Sequence, residues 1–300
     1  MKIVVIQHKN DFKGEQAVYF IEVIAKCWRE AGHEVVFVNG LQNSIKADLA
    51  ILHINLSVVP GKYVEYAKQC PIVLNDDITD IRKRTISKHL VRQRDIFDGP
   101  VIVKTDLNCG GIPESKIYNK PLPKRRSMMN YVRKTVRKTR KAGIKLNLIQ
   151  ADSMRLVQSE YRDSFQIFER KSRVPGYIWE NDDWIVEKFI PEKEGSKFIT
   201  RNAYFLGNKI IGFKSYSLDP IIKEEEEGVS DKIEVSEEII LLRNKLGLDY
   251  GKIDYVMHSN KPVVLDVAKT IGGGDFGRET ATILAQGIHS YLATENEACL

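Results

Sequence analysis

Over the first 75 residues, short apolar runs alternate with stretches of helical period. That alternation limits this part of the chain to a small parallel α/β lobe. Ile3–Ile6, Glu34–Val38, Leu49–Ile54 and Pro71–Leu74 read as strands. Gly14–Ala31 places Val18, Ile21, Ile24, Ala25 and Trp28 on one helical face and stops at Gly32. Pro60–Lys68 reads as a second helix. No Gly-x-Gly-x-x-Gly follows the first strand, which argues against a dinucleotide site there.

Further on the pattern changes. Residues 80–97, rich in Arg and Lys, read as a helix, and Pro100–Lys104 as a buried strand ending in lysine. From residue 165 strands dominate: Trp184–Ile190, Asn202–Leu206 and Lys209–Tyr216, the last two joined by the turn Gly207-Asn208. Ser236–Leu246 reads as a helix, Ile253–His258 and Pro262–Val267 as a hairpin around Ser259-Asn260, and Asp275–Tyr291 as a final helix. A chain of 300 residues divides into at least two compact units.

Charge is unevenly spread. The net charge is +6, yet residues 115–150 hold twelve Lys/Arg and no acid. Without them, 34 basic residues face 40 acidic ones, so a mildly acidic body carries one basic insert. Within the insert, Ser127–Ala142 reads as a helix with a narrow apolar face of Met128, Val132 and Val136. It is either a solvated helix or a docking surface for an acidic peptide or other anionic substrate. Nucleic acid is disfavoured, because no aromatic-rich binding strand accompanies the charge. No apolar run reaches 18 residues, so no membrane span is expected. Four scattered cysteines without a Cys-x-x-Cys pair predict a reducing, cytoplasmic setting. The six histidines show no ligand spacing.

Three stretches can carry chemistry. Lys104 at a strand end, followed by Asn108-Cys109-Gly110-Gly111, suits polyphosphate: the lysine is a point charge, and glycine lets backbone N–H groups approach oxygen. It is not a Walker A loop, and a surface lysine with an ordinary turn is the plainer alternative. Trp184–Glu192 can offer backbone groups to an adenine edge and a carboxylate to ribose; an edge strand with alternating charges would look the same. Asp254 and Asp266, on the two arms of the predicted hairpin, can converge on one Mg2+ or be satisfied by lysine or backbone.

In this order the three stretches resemble the ATP-grasp superfamily, in its carboxylate–amine ligase and ribosomal-protein glutamate-ligase-like range. The most specific segments are Val186–Glu192, Arg201–Gly207, Gly251–Val256 and Val264–Thr270. The resemblance covers nearly the whole chain. It implies an α/β (α+β) fold with an N-terminal parallel α/β lobe (1–78), a small central lobe with the basic insert (79–190) and a C-terminal antiparallel-sheet lobe (191–300). It also implies roles. Lys104 would bind the α- or β-phosphate of ATP, and Asn108, Gly110 and Gly111 would cover the phosphates. Glu187, Lys188 and Phe189 would lie along adenine, and Glu192 would meet the ribose. Arg201 and Lys214 would approach the γ-phosphate or an acyl phosphate, and Asp254 and Asp266 would hold Mg2+. At Ala268 the family usually carries Asn, so a second metal ion is lost or held through water. The implied activity is an ADP-forming ligase joining a carboxylate to an amine; a small-molecule kinase and a catalytically impaired nucleotide-binding protein are the alternatives.

Overall fold

The structure, a computed structural model, describes residues 1–11, 19–118, 165–221, 230–272 and 277–291. The predicted helix over Ser127–Ala142 and most of the basic insert lie outside these residues, as do the starts of the first and last predicted helices. Contacts divide the chain into two units: Met1–His89 with Phe189–Leu300, and Leu90–Lys188.

The first unit begins with a parallel sheet of β1 (Lys2–Gln7), β2 (Glu34–Asn39), β3 (Leu49–Leu52) and β4 (Ile72–Leu74), ordered β2-β1-β3-β4. β1 and β3 are apolar on both faces because both faces are covered. Helix α1 (Phe20–Glu30) lays Phe20, Ile21, Ile24, Ala25 and Trp28 on one of them. α2 (Gly61–Ala67) joins β3 to β4, and one turn, α3 (Lys83–Ile86), follows β4. The helix predicted over 80–97 is otherwise absent. Its apolar residues Ile81, Ile86, Leu90, Val91, Ile96 and Phe97 repeat the i, i+3/i+4 spacing only once, at Ile86–Leu90, and make no helical stripe. Asp80 grips the Arg82 guanidinium through two bonds of 2.6 and 3.0 Å, which fixes an extended entry instead.

The second unit is a three-stranded antiparallel sheet, β6-β5-β7, of β5 (Val101–Thr105), β6 (Phe165–Phe168) and β7 (Trp184–Lys188). The short helices α4 (Ile112–Tyr118) and α5 (Gly176–Trp179) complete it. Val101, Val103 and Val186 face a core with Val91, Val174 and Ile178. By strand alternation Ile102, Lys104 and Glu187 project from the other face.

The rest of the first unit is a six-stranded sheet: β8 (Glu192–Glu194), β9 (Lys197–Leu206), β10 (Lys209–Ser217), β11 (Ser230–Ile233), β12 (Tyr250–His258) and β13 (Lys261–Ala268). The order is β11-β10-β9-β12-β13, with β8 on β9 and every pairing antiparallel. The charged strands β8 and β11 and the first half of β9 carry no apolar run and escaped the sequence reading. Helix α6 (Glu237–Leu246) stops at Gly247, whose φ of 64° is the left-handed cap glycine favours. It covers one sheet face with a core of Ala203, Phe205, Ile239, Ile253, Tyr255 and Val267. Helix α7 (Arg278–Ala285) and the 3-10 turn Gln286–Tyr291 lie on the other face. There Tyr204, Leu206, Ile211 and Tyr250 share a core with Ile3, Val5, Ile21 and Leu284.

The parallel sheet and the antiparallel sheet belong to the same compact unit. Trp28 Nε1 donates to Ala285 O at 2.9 Å. Buried Asn75, held at φ 66°, accepts from Asp249 N and Tyr250 N and donates to Tyr250 O. Among the described residues no helix is long and apolar enough to cross a membrane.

Candidate functional site

The antiparallel sheet sorts the predicted charges by strand alternation. On β9, Ile199, Arg201, Ala203 and Phe205 share one face, and Asn202, Tyr204 and Leu206 the other. Asp254 stands opposite both Asn202 and Asp266 in register, and Lys252 opposite Tyr204 and Ala268. Asn202, Lys252, Asp254, Asp266 and Ala268 thus lie on the face of Tyr204, while Arg201 and Lys214, cross-strand neighbours, lie on the reverse. The resemblance implies that Arg201 and Lys214 approach the γ-phosphate or an acyl phosphate; strand alternation sets them on the sheet face opposite Asp254 and Asp266.

On the aspartate face both carboxylates are half-buried. Asn202 Nδ2 donates to Asp254 Oδ1 at 2.7 Å, which fixes that carboxylate. Lys252 Nζ lies 3.4 Å from Asp254 Oδ2 and 6.0 Å from the Tyr204 ring centroid. Lys83, 4% exposed on α3, brings its ammonium to 3.6 Å from Asp266 Oδ1. Both contacts exceed the length of about 2.8 Å typical of a charge-assisted hydrogen bond. The aspartate side chains remain 21% and 31% exposed. A Mg2+ site asks for one or two carboxylates plus phosphate oxygens. Asp254 and Asp266, paired across the strands, supply two carboxylates, so the residues fit one ion. Ala268 offers no side-chain oxygen to a second, and among the described residues no group of three His, Cys, Asp or Glu is placed to hold a metal.

The reverse face is tightly tied. Arg201 grips Glu192 through Nε at 3.0 and 3.1 Å and Nη2 at 2.7 Å, and Met257 N donates to the same carboxylate at 2.6 Å. Burial pushes the Glu192 carboxyl up, but these bonds outweigh it and hold it below its ordinary range. Arg201 is shifted up by its bonds to Glu192. Lys214 donates to Glu194 at 2.6 Å, and that bond, with Tyr216, raises its pKa. The Glu192 carboxylate predicted for ribose is engaged within the sheet.

In the second unit, Lys104 and Glu187 form a direct pair at 2.7 Å, with side chains 5% and 4% exposed. Glu187 lies diagonally across from Lys104 on the antiparallel partner strand, within reach of long side chains. Glu187 Oε1 is buried with no hydrogen-bond partner among the described residues. The outer edge of β7 is bridged by Leu90, with Val91 N donating to Val186 O at 2.8 Å. Lys188 is exposed, with Nζ 4.9 Å from the centroid of the Phe97 ring, and Phe189 is half-buried. After β5, Asn108 is buried, and Cys109, Gly110 and Gly111 follow with φ of 48°, 66° and 76°. Successive residues of this kind turn backbone N–H groups into one concavity, which suits an anion.

Three residues of the aspartate face were missed in the sequence. Lys252 was legible, since it stands two residues before Asp254 on the same strand. Asn202 needed the β9–β12 register, and Lys83 needed the tertiary fold.

No family model matches the chain, and no curated protein does. The chain is similar in structure to ATP-grasp proteins. An ATP-grasp RimK domain protein from Sphaerobacter thermophilus is 11% identical over 96% of this chain and 100% of that one, with a TM-score of 0.46. The D-alanine–D-alanine ligase of Bacillus anthracis, complexed with ATP, is 13% identical over 99% of both chains, with a TM-score of 0.42. The ATP-grasp ligase PsnB, complexed with a minimal precursor, Mg and ADP, is 12% identical over 96% of both chains, with a TM-score of 0.46.

Proposed function

We propose that this protein is an ATP-dependent ligase of the ATP-grasp type. A carboxylate oxygen attacks the γ-phosphorus of ATP, the bond to the β-phosphate oxygen breaks, and ADP leaves. An amine then attacks the acyl carbon, loses a proton and displaces phosphate, leaving a C–N bond. The observation that carries this reading is the cross-strand pair Asp254–Asp266, with Lys252 and Lys83 within 4 Å of its oxygens.

Bound Mg2+, held by Asp254 and Asp266, would supply charge neutralisation at the phosphates. Lys252 and Lys83 would offer ammonium donors to phosphate oxygens. Lys104 neutralises phosphate charge, with Glu187 fixing its position. The unpartnered Glu187 Oε1 is an acceptor for an exocyclic amine, which favours adenine over guanine as the base. The Cys109–Gly111 concavity offers backbone N–H groups to the phosphates. The acceptor amine and the carboxylate remain defined by class alone.

The test is ATP turnover with hydroxylamine as the amine, which converts an acyl phosphate into a hydroxamate. Hydroxamate formed with Mg2+ and a carboxylate pool supports the ligase. Phosphoryl transfer to a hydroxyl with no hydroxamate supports a kinase. ATP binding without any turnover supports a nucleotide-binding protein, the reading that Ala268 favours.

A further inference from the structure

We propose that two bonded loops of the second unit, Arg92–Gly99 and Arg170–Arg173, form a docking surface for an acidic peptide segment that carries an apolar side chain. The proposal lies outside the ligase reading and does not depend on it.

The positive charge of the chain resides in this unit. Residues 90–188 hold 21 Lys/Arg against 12 Asp/Glu, and the rest of the chain holds 25 against 28. The two loops are tied to each other. Lys171 N donates to Gly99 O at 3.2 Å, and Lys171 Nζ donates to Gln93 O at 3.0 Å and to Asp95 O. Ser172 N and Oγ donate to the two carboxylate oxygens of Asp98 at 2.7 and 3.2 Å. Arg92 N donates to Asp95 Oδ2 at 2.8 Å. Both acids of the first loop are thus engaged by the loops themselves. The arginines are not: Arg92, Arg94 and Arg173 are exposed, and among the described residues none of their guanidinium groups makes a hydrogen bond or ion pair. Between the engaged acids stands Ile96, wholly exposed. A single exposed apolar residue is ordinary on a protein surface. Ile96 differs in its setting, since Asp95 and Asp98 on either side of it are bonded and unpaired arginines flank it. A β-branched side chain on such a loop has little freedom left to lose on docking.

The partner's chemistry follows from these groups. Guanidinium forks match carboxylates in bidentate pairs. An isoleucine among them gains only by burying against another apolar group. A nucleic acid would meet the arginines with phosphates, but its bases bind on aromatic faces. The neighbouring Phe97 is half-buried, with Lys188 Nζ 4.9 Å from its ring centroid.

The test is fluorescence anisotropy of the full chain with a labelled Glu/Asp peptide that carries one central leucine. Wild type should bind it at least about tenfold more tightly than the same peptide with Gln/Asn for the acids, and the difference should shrink as salt is raised. Ile96→Ser should weaken binding of the leucine peptide about fivefold and leave a peptide with alanine in place of leucine unaffected. Arg92→Gln, Arg94→Gln and Arg173→Gln combined should weaken it at least about tenfold at an unchanged melting temperature, because all three side chains are exposed. No binding of the acidic peptide by wild type would overturn the proposal, as would equal affinity for oligo(dT). So would wild-type binding in both the Ile96 and the arginine variants, which would move the affinity to the basic insert. ATP turnover with hydroxylamine, measured alongside, reports on the ligase reading alone.

Discussion

The two faces of the antiparallel sheet carry the same kinds of side chain and tie them differently. On the reverse face, Arg201 with Glu192 and Lys214 with Glu194 meet at 2.6–2.7 Å, and a backbone N–H completes the Glu192 shell. On the aspartate face the lysine contacts are 3.4 and 3.6 Å. Charges that satisfy one another at hydrogen-bond length are committed to the fold. Charges held within Coulombic reach can change partner when a ligand arrives. The comparison sets a tightly paired face against the face proposed for chemistry, although Arg201 and Asn202 are adjacent in sequence.

The largest effect expected is on the aspartate face. Asp254→Asn should lower hydroxamate formation by at least about a thousandfold, roughly 4 kcal/mol in the barrier, with the fold intact by circular dichroism. Arg201→Met should keep the rate within about tenfold of wild type. The comparison breaks if the order is reversed: a collapse of turnover in Arg201→Met, at unchanged stability, would return that arginine to the reacting phosphate.

Stability should report the opposite ranking. Arg201→Met leaves Glu192 partly buried without its guanidinium and should cost about 2 kcal/mol in urea unfolding. Asp254→Asn keeps the shape and one acceptor oxygen for Asn202, and should cost less than half of that. Equal losses in the two variants would mean that tightness of pairing does not separate the faces.

A third site, in the other unit, sharpens the contrast. Lys104 and Glu187 are as tightly paired as the reverse face, at 2.7 Å, yet one carboxylate oxygen is left over. Removing the lysine alone would strand Glu187, so the informative variant is Lys104→Met with Glu187→Gln. It should weaken ATP binding at least about tenfold, near 1.4 kcal/mol, in calorimetry. Unchanged affinity in a folded double variant would make this pair purely structural.

What the sequence showed of all this follows from range. Ile3–Ile6, Leu49–Ile54 and Val101–Lys104 were legible because short, largely apolar runs, β-branched in the first and third, suit buried strands. The Asp254–Asp266 hairpin was legible because Ser259 and Asn260, at φ of 50° and 60°, form a turn that pairs its flanks. The faces were not. Knowing that Arg201 and Asn202 point apart requires the boundary of β9, and that strand begins in Lys197–Thr200, where no apolar run marks it. Lys83 read as part of a basic helix because its partner, Asp266, is far along the chain and only the packing of α3 brings it near.

The smallest effect is one of pH, and it bears on the reverse face alone. Burial favours the neutral form of Glu192, but the Arg201 and Met257 hydrogen bonds and the charges of Arg201 and Lys214 prevail, so its folded pKa lies below the ordinary 4.5. A carboxyl depressed on folding contributes stability that is complete above its unfolded value and fades as pH falls through its folded value. Wild type should therefore lose this contribution on acidification below 4.5. Glu192→Gln, which never has it, should show a shallower acid limb. The stability gap between the two proteins should be widest near neutral pH and should narrow by up to about 1 kcal/mol toward about pH 3, read from urea midpoints. A gap of constant width would show that the Glu192 carboxylate gains nothing from Arg201 beyond packing, and the distinction between committed and exchangeable charges would then rest on the aspartate face alone.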